Sequence, residues 1–226
     1  MTMADLKALA ATARAKGWAT EPGDVKSIRK QAASLGWTEV APRRGDPTVS
    51  VLRPADADAA HPNSLSAVYG LGQQPLHTDG AHMQDPPDLL VFISEHPSAT
   101  PTQLWRPVIF VRRRSSTPTV ARVSPAALDH GMFLVRNGRD SFYAPARSRS
   151  GYRYDPGCMT PCDTRAREVQ GYFDQQLSRA TVHEWAAGGQ VLVVDNHRAM
   201  HARPAVAEDD LDRELTRIAF RIGAAR

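Results

Sequence analysis

Apolar positions recur at helical spacing twice near the start of the chain, and then at strand spacing for most of its length. Leu6, Leu9 and Ala13 mark one helical face, and Val25, Ile28, Ala32 and Leu35 mark another. Gly17 and Gly36 follow these runs as natural C-terminal stops. From Thr48 onward the pattern becomes short β-like runs separated by turns, at 49–52, 89–94, 108–111, 119–123, 132–136, 190–194 and 216–222. One more helix is expected at 164–178, with Val169, Tyr172, Phe173 and Leu177 on its buried side. No internal repeat and no low-complexity linker interrupts the sequence. The pattern predicts one domain over 1–226, mainly β with flanking helices. A helical N-terminal part over 1–45 would pack on a largely antiparallel sandwich or barrel over 46–226.

Composition sharpens this only in places. Fifteen glycines and 17 prolines in 226 residues favour turns over a helical bundle. Cys158 and Cys162 are the only cysteines, so no disulfide framework is implied. The apolar run at 8–11, hemmed in by Lys7, Arg14 and Lys16, is too short for a secretory leader. No run approaches the roughly 20 apolar residues that span a bilayer. A soluble cytoplasmic protein with reduced thiols and no membrane partner is the expectation. The net charge of +4 comes mainly from arginine, with clusters at Arg112, Arg113 and Arg114 and around Arg147, Arg149 and Arg153. Such clusters are either solvated surface or an attraction for an anionic small molecule or acidic partner. Neither is interleaved with aromatics, and no nucleic-acid motif appears, so nucleic acid is not expected as a partner.

The most informative segment is Pro75-Leu76-His77-Thr78-Asp79-Gly80. On an extended strand, residues two apart project to one side, so His77 and Asp79 can converge on one point. Imidazole plus carboxylate is a donor set that suits iron(II), and one more histidine completes a two-histidine, one-carboxylate facial triad. The run Gln190 to His201 offers that partner, since a buried strand introduced by Trp185 and Gly188-Gly189 passes through Asp195-Asn196 to His201. His197 and His201 are four apart, a spacing that on a helix would suit zinc. The preceding strand pattern argues against a helix there, which favours His201 as ligand and leaves His197 as a polar neighbour. Further on, Arg213 and Arg217 would share one face of a strand, and their guanidinium forks suit a dicarboxylate. The loop from Arg153 to Cys162 is read either as a packed turn or as a pocket wall carrying Arg153 and Tyr154.

In their order and spacing these pieces resemble the clavaminate synthase-like, taurine dioxygenase-like superfamily of iron(II)/2-oxoglutarate oxygenases. The resemblance is carried by His77-Thr78-Asp79, Pro86-Pro87, Leu104-Trp105, Trp185 with Gly188-Gly189, Asp195-Asn196, His201, and Arg213 with Leu215 and Arg217. It covers about residues 66–222 and implies a double-stranded β-helix, or jelly-roll, core. It also implies that His77, Asp79 and His201 hold Fe(II), and that Arg213 grips the distal carboxylate of 2-oxoglutarate. Arg217 would touch cofactor or substrate. Members usually place a threonine just before the Leu-Trp pair, whereas this chain has Gln103 there and Thr102 one residue earlier; either could supply the second cofactor contact. The cosubstrates would be 2-oxoglutarate and O2, and the reaction hydroxylation of an unactivated C–H bond in a small molecule. Retention of Asp79 favours hydroxylation over halogenation, with desaturation, epoxidation and ring formation also open. An amino acid, a peptide, or a natural-product intermediate, free or carried on a protein, are all candidate substrates, and Arg153, Tyr154 and Arg217 are candidate contacts to them. Two rivals stand beside this reading: a metal enzyme that does not use 2-oxoglutarate, and a non-catalytic ligand-binding jelly roll.

Overall fold

The structure is a computed structural model that describes residues 4–107, 123–138 and 140–223. The expected strand at 108–111, the arginines at 112–114 and the expected strand at 119–123, save Val123, lie outside the described residues.

Both N-terminal helices form where the periodicity places them, as α1 (Leu6–Lys16) and α2 (Val25–Ser34). Asp5 caps α1 by accepting from the backbone N–H of Lys7 and Ala8, and Asp24 caps α2 through Ser27. The N-terminal part is less purely helical than expected. Strand β1 (Trp18–Pro22) lies between the two helices, and β2 (Thr38–Val40) follows them. Five and three residues are too few to show alternation in a sequence. These segments are strands because long central strands offer them edges to pair with.

The remaining strands are β3 (Val49–Leu52), β4 (Leu89–Ser94), β5 (Ser98–Trp105), β6 (Met132–Asn137), β7 (Asp140–Pro145), β8 (Arg147–Ser148), β9 (Gly151–Tyr152), β10 (Met159–Pro161), β11 (Thr181–Trp185), β12 (Gln190–Asp195), β13 (Met200–Ala202) and β14 (Leu215–Arg221). Helices α3 (Leu65–Tyr69), α4 (Pro125–His130) and α5 (Thr164–Gln176) interrupt them. Helix α5 matches the expected segment, capped by Asp163, and a single 3-10 turn at Leu177–Arg179 completes it. The largest sheet runs β1-β12-β4-β14, and β2 and β3 share the far edge of β14 in tandem. A second sheet runs β11-β5-β13, a third β10-β6-β7, and β8 with β9 forms a small ribbon. Every strand pairing among the described residues is antiparallel.

The large sheet is buried on both faces, which is why β4 and β12 read as continuous apolar runs. Leu89, Val91, Ile93, Val191, Val193, Ile218 and Phe220 pack under the helices against Leu6, Leu9, Ala13 and Ile28. The opposite face puts Leu90, Phe92, Leu192 and Val194 against Leu104 and Trp185 of the second sheet. A third cluster, including Trp105, Met200, Phe133, Tyr154 and Phe173, fills the space between the second sheet and the α4–α5 side. Alternation along β14 gives its two faces different neighbours. Ile218 and Phe220 face the helices, so Arg217 and Leu215 must face the space between the sheets.

Candidate active site

A cavity of about 540 Å³ opens between the two sheets at the end where β13 and β14 carry His201 and Arg217. That volume is within the usual range for a small-ligand site. His77, Asp79, His201, Thr102, Arg213 and Arg217 all line it.

His77 and His201 are held opposite each other by the backbone. His77 N–H donates to His201 O at 3.0 Å and His201 N–H donates to His77 O at 3.0 Å, so the pair forms an antiparallel bridge. Residues paired in this way project to the same face, and the two rings lie 4.3 Å apart between centroids. The segment around His77 is thus a single bridge leading into a turn, where a regular strand was expected. Asp79 reaches the same point from that turn. Gly80 at φ 68° lets the chain reverse directly after it, and a Cβ there would stand 2.7 Å from Pro87 Cδ. His77 Nε2 and His201 Nε2 lie 3.7 and 3.5 Å from Asp79 Oδ1. The three donor atoms fall within 4.8 Å of one another, and no other group of this kind occurs among the described residues.

The protonation states suit a cation. His77 Nδ1 is 3.0 Å from Pro75 O. A carbonyl only accepts, so Nδ1 is the donor to it and Nε2 is the ring nitrogen turned toward the cluster. Burial, reinforced by His77, pushes the His201 pKa down to about 3 and leaves that imidazole neutral. Burial alone would raise the Asp79 pKa, but Arg217 and the two histidines outweigh it and hold it at about 2. Two imidazoles and one carboxylate fit iron(II) in a facial triad.

Behind this cluster sits Asn196, which the sequence marks only as half of the Asp195-Asn196 pair. It is buried, and its Oδ1 accepts from Asp79 N–H at 2.9 Å while its Nδ2 donates to Asp79 O at 2.9 Å. The same Nδ2 donates to Pro87 O at 2.9 Å. A primary amide has the donor and acceptor of a peptide group, so Asn196 grips Asp79 as a strand neighbour would. His197, by contrast, turns away: its Nε2 is 3.2 Å from Asp88 Oδ1, outside the cluster.

The other end of the cavity is rich in donors. Arg213 lies just ahead of β14, whereas the sequence pattern put it on that strand, yet its side chain still lines the cavity. It is only 8% exposed, and Nε donates to Ser98 Oγ at 3.0 Å. Burial lowers its pKa to about 10, with Asp210 opposing the fall, so it stays a cation at neutral pH. Asp210 spends its own carboxylate on Ser98 Oγ and the Thr100 N–H. The second sheet then separates the two candidates that the sequence left open. His201 pairs with Leu104, and Thr102 is two residues along the same face. Thr102 faces the cavity and accepts from Trp185 Nε1 at 3.0 Å, which leaves its hydroxyl proton free to donate. Gln103 projects from the opposite face, does not line the cavity, and accepts from Gln73 Nε2 at 3.4 Å.

Arg217 is not free: NH1 donates to Asp79 Oδ2 at 2.7 Å, and NH2 reaches Ser50 Oγ at 3.4 Å. Arg153 and Tyr154 lie outside the cavity. The Arg153 guanidinium donates to the carbonyls of Ala81, Met83 and Gln84 and stacks on Phe142, so it ties down the loop after the Asp79-Gly80 turn. Tyr154 is buried against Phe133 and Phe173, because the alternation at this point sends its ring into the core. The next residue, Asp155, is the one that lines the cavity. Arg203, two residues after His201, also lines it, with NH2 donating to Gly70 O and Gly72 O.

No family model matches this chain, and neither does any curated protein. Solved structures do. An asparagine oxygenase in complex with Fe(II), 2S,3S-3-hydroxyasparagine and succinate is similar at 18% identity and a TM-score of 0.70, with 95% of this chain and 77% of that one covered. The non-haem iron oxygenase OrfP, with Fe, succinate and (3S)-hydroxy-L-Arg, matches at 18% identity and 0.66, over 95% and 78% of the two chains. PvcB, an Fe, alpha-ketoglutarate-dependent oxygenase from an isonitrile synthetic pathway, matches at 18% and 0.62, over 96% and 80%. This chain shares the fold of those iron oxygenases.

Proposed function

We propose that this chain is an iron(II)/2-oxoglutarate-dependent oxygenase that hydroxylates a C–H bond of an amino acid or a similar small zwitterion. The observation that carries the reading is the pairing of the His77, Asp79 and His201 cluster with a buried Arg213 that forms no ion pair among the described residues, in one cavity. On this reading the two facing sheets make a jelly roll with the metal at its mouth, and the protein works in the cytoplasm, in keeping with its free thiols.

His77, Asp79 and His201 would hold Fe(II), which with 2-oxoglutarate and O2 supplies the oxidising chemistry. The chain's own residues bind and orient. Arg213 would take the distal carboxylate of 2-oxoglutarate, and the Thr102 hydroxyl would donate to the same group. That clamp is what a metal enzyme without 2-oxoglutarate has no use for, and it weighs against that rival. Arg217 would meet an anionic group of the substrate, and Asp155 would accept from an amine, amide or guanidinium. The asparagine- and arginine-derived products held by the structural neighbours are of this type.

Purified protein supplied with Fe(II), ascorbate and 2-oxoglutarate should form succinate, and adding the substrate should raise the rate. Asp79→Ala should abolish both. Succinate formation that survives in Asp79→Ala, or none at all in the wild type across a panel of amino acids, would remove this reading.

A further inference from the structure

The ion pair between Arg217 and Asp79 carries an inference that rests on the proposed metal centre. Asp79 has two oxygens with different company. Oδ1 faces the Nε2 atoms of His77 and His201, and Oδ2 accepts from Arg217 NH1 at 2.7 Å. A divalent ion held by the three donors would therefore share its only carboxylate with a guanidinium. Backbone pairing fixes where the guanidinium starts. Arg217 is in the middle of β14, opposite Phe92 on one side and Ser50 on the other, and its NH2 is steered by Ser50 Oγ at 3.4 Å. Both side chains are largely out of water, at 18% and 12% exposure, so solvent screens the arrangement little.

We propose that Arg217 is a positioning residue that withholds one oxygen of Asp79 from the metal. It makes Asp79 a one-oxygen ligand and sets the site's affinity below that of the bare triad. The charges have two consequences. With Arg217 in place, one coordination position more stays open for cosubstrate and O2 than a two-oxygen carboxylate would leave. Remove the cation, and the metal gains both a second oxygen and relief from a neighbouring like charge.

The test is calorimetric titration of Mn(II), as an air-stable stand-in for Fe(II), into metal-stripped full-length protein without 2-oxoglutarate. Arg217→Gln should bind Mn(II) about tenfold more tightly than wild type, equivalent to about 1.4 kcal/mol. Arg217→Lys, which keeps the charge, should stay within about threefold of wild type. Arg217→Met removes the charge while keeping an apolar stem, and serves if the glutamine variant does not fold. The visible absorption of the Co(II)-loaded neutral variant should fall relative to wild type as the second oxygen joins the metal. Unchanged or weaker Mn(II) binding in the folded neutral variants would overturn the proposal, as would equal tightening in Arg217→Lys. Wild-type protein that binds no Mn(II), or Asp79→Ala that binds as well as wild type, would sink the metal centre itself and the proposal with it.

Discussion

The two ends of the cavity are built in opposite senses. At the end that carries His77, Asp79 and His201 most rear-facing groups are satisfied, His77 Nδ1 by Pro75 O, the Asp79 backbone by Asn196, and Asp79 Oδ2 by Arg217, while His201 Nδ1 is buried with no partner among the described residues. What points forward is lone pairs. At the Arg213 end only Nε is satisfied, by Ser98, and no carboxylate among the described residues forms an ion pair with it. What points forward there is N–H donors. One end asks for a cation and the other for an anion. A ligand with a chelating keto acid at one terminus and a plain carboxylate at the other answers both, which a metal alone does not. The difference teaches that this site is recognised by what it leaves unpaired.

The largest effect should come from breaking the acceptor end. His77→Ala, Asp79→Ala and His201→Ala should each lower metal affinity by at least about a hundredfold, measured by titration with Mn(II), and abolish iron-dependent succinate formation. Circular dichroism should show that the fold survives. Arg213→Ala breaks the donor end: charge-assisted hydrogen bonds contribute about 1.5–3 kcal/mol, so the KM for 2-oxoglutarate should rise at least about tenfold. Metal affinity should not move, and Arg213→Lys should recover only part of the loss. Asn196→Asp sharpens the contrast, because it keeps the shape but sets a carboxylate oxygen against the carbonyls of Asp79 and Pro87. Metal affinity should fall about tenfold with the KM for 2-oxoglutarate little changed. The smallest effect separates two neighbours on one strand. Thr102→Val should raise the KM for 2-oxoglutarate about three- to fivefold, equivalent to about 1 kcal/mol for a lost neutral hydrogen bond, while Gln103→Ala should leave it unaltered.

How much of this could be read from the chain depends on the reach of each signal. The helices α1, α2 and α5 and the central strands β4, β12 and β14 were legible because their apolar periodicity is local. Strands β1 and β2 were not, since they exist by borrowing the edges of β12 and β14. At the site, the spacing of His77, Asp79 and His201 was enough to name the residues that the structure brings together. The choice between Gln103 and Thr102 required knowing which face of β5 looks inward, and that is set by pairing with β13. Arg153 and Tyr154 were picked for their chemistry, but the bend of their loop sends both away and presents Asp155. Asn196 could have been singled out from its place directly after a buried strand, where a side-chain amide often finishes what the backbone leaves unpaired.

The bridge between His77 and His201 has a bearing on assembly. The two residues are 124 positions apart, and each gives the other both of its backbone hydrogen bonds. No segment of the chain shorter than that separation can contain the site. An unfolded or half-folded chain holds at most two of the three donors near one another, so it competes poorly for metal. Binding confined to the native state adds RT ln(1 + [L]/Kd) to its stability, about 2.7 kcal/mol at a hundredfold excess over Kd. On the proposed reading the ion would act as a latch thrown at closure, and its release rate from the native protein would be a clock for how often that seam between distant parts of the chain comes undone.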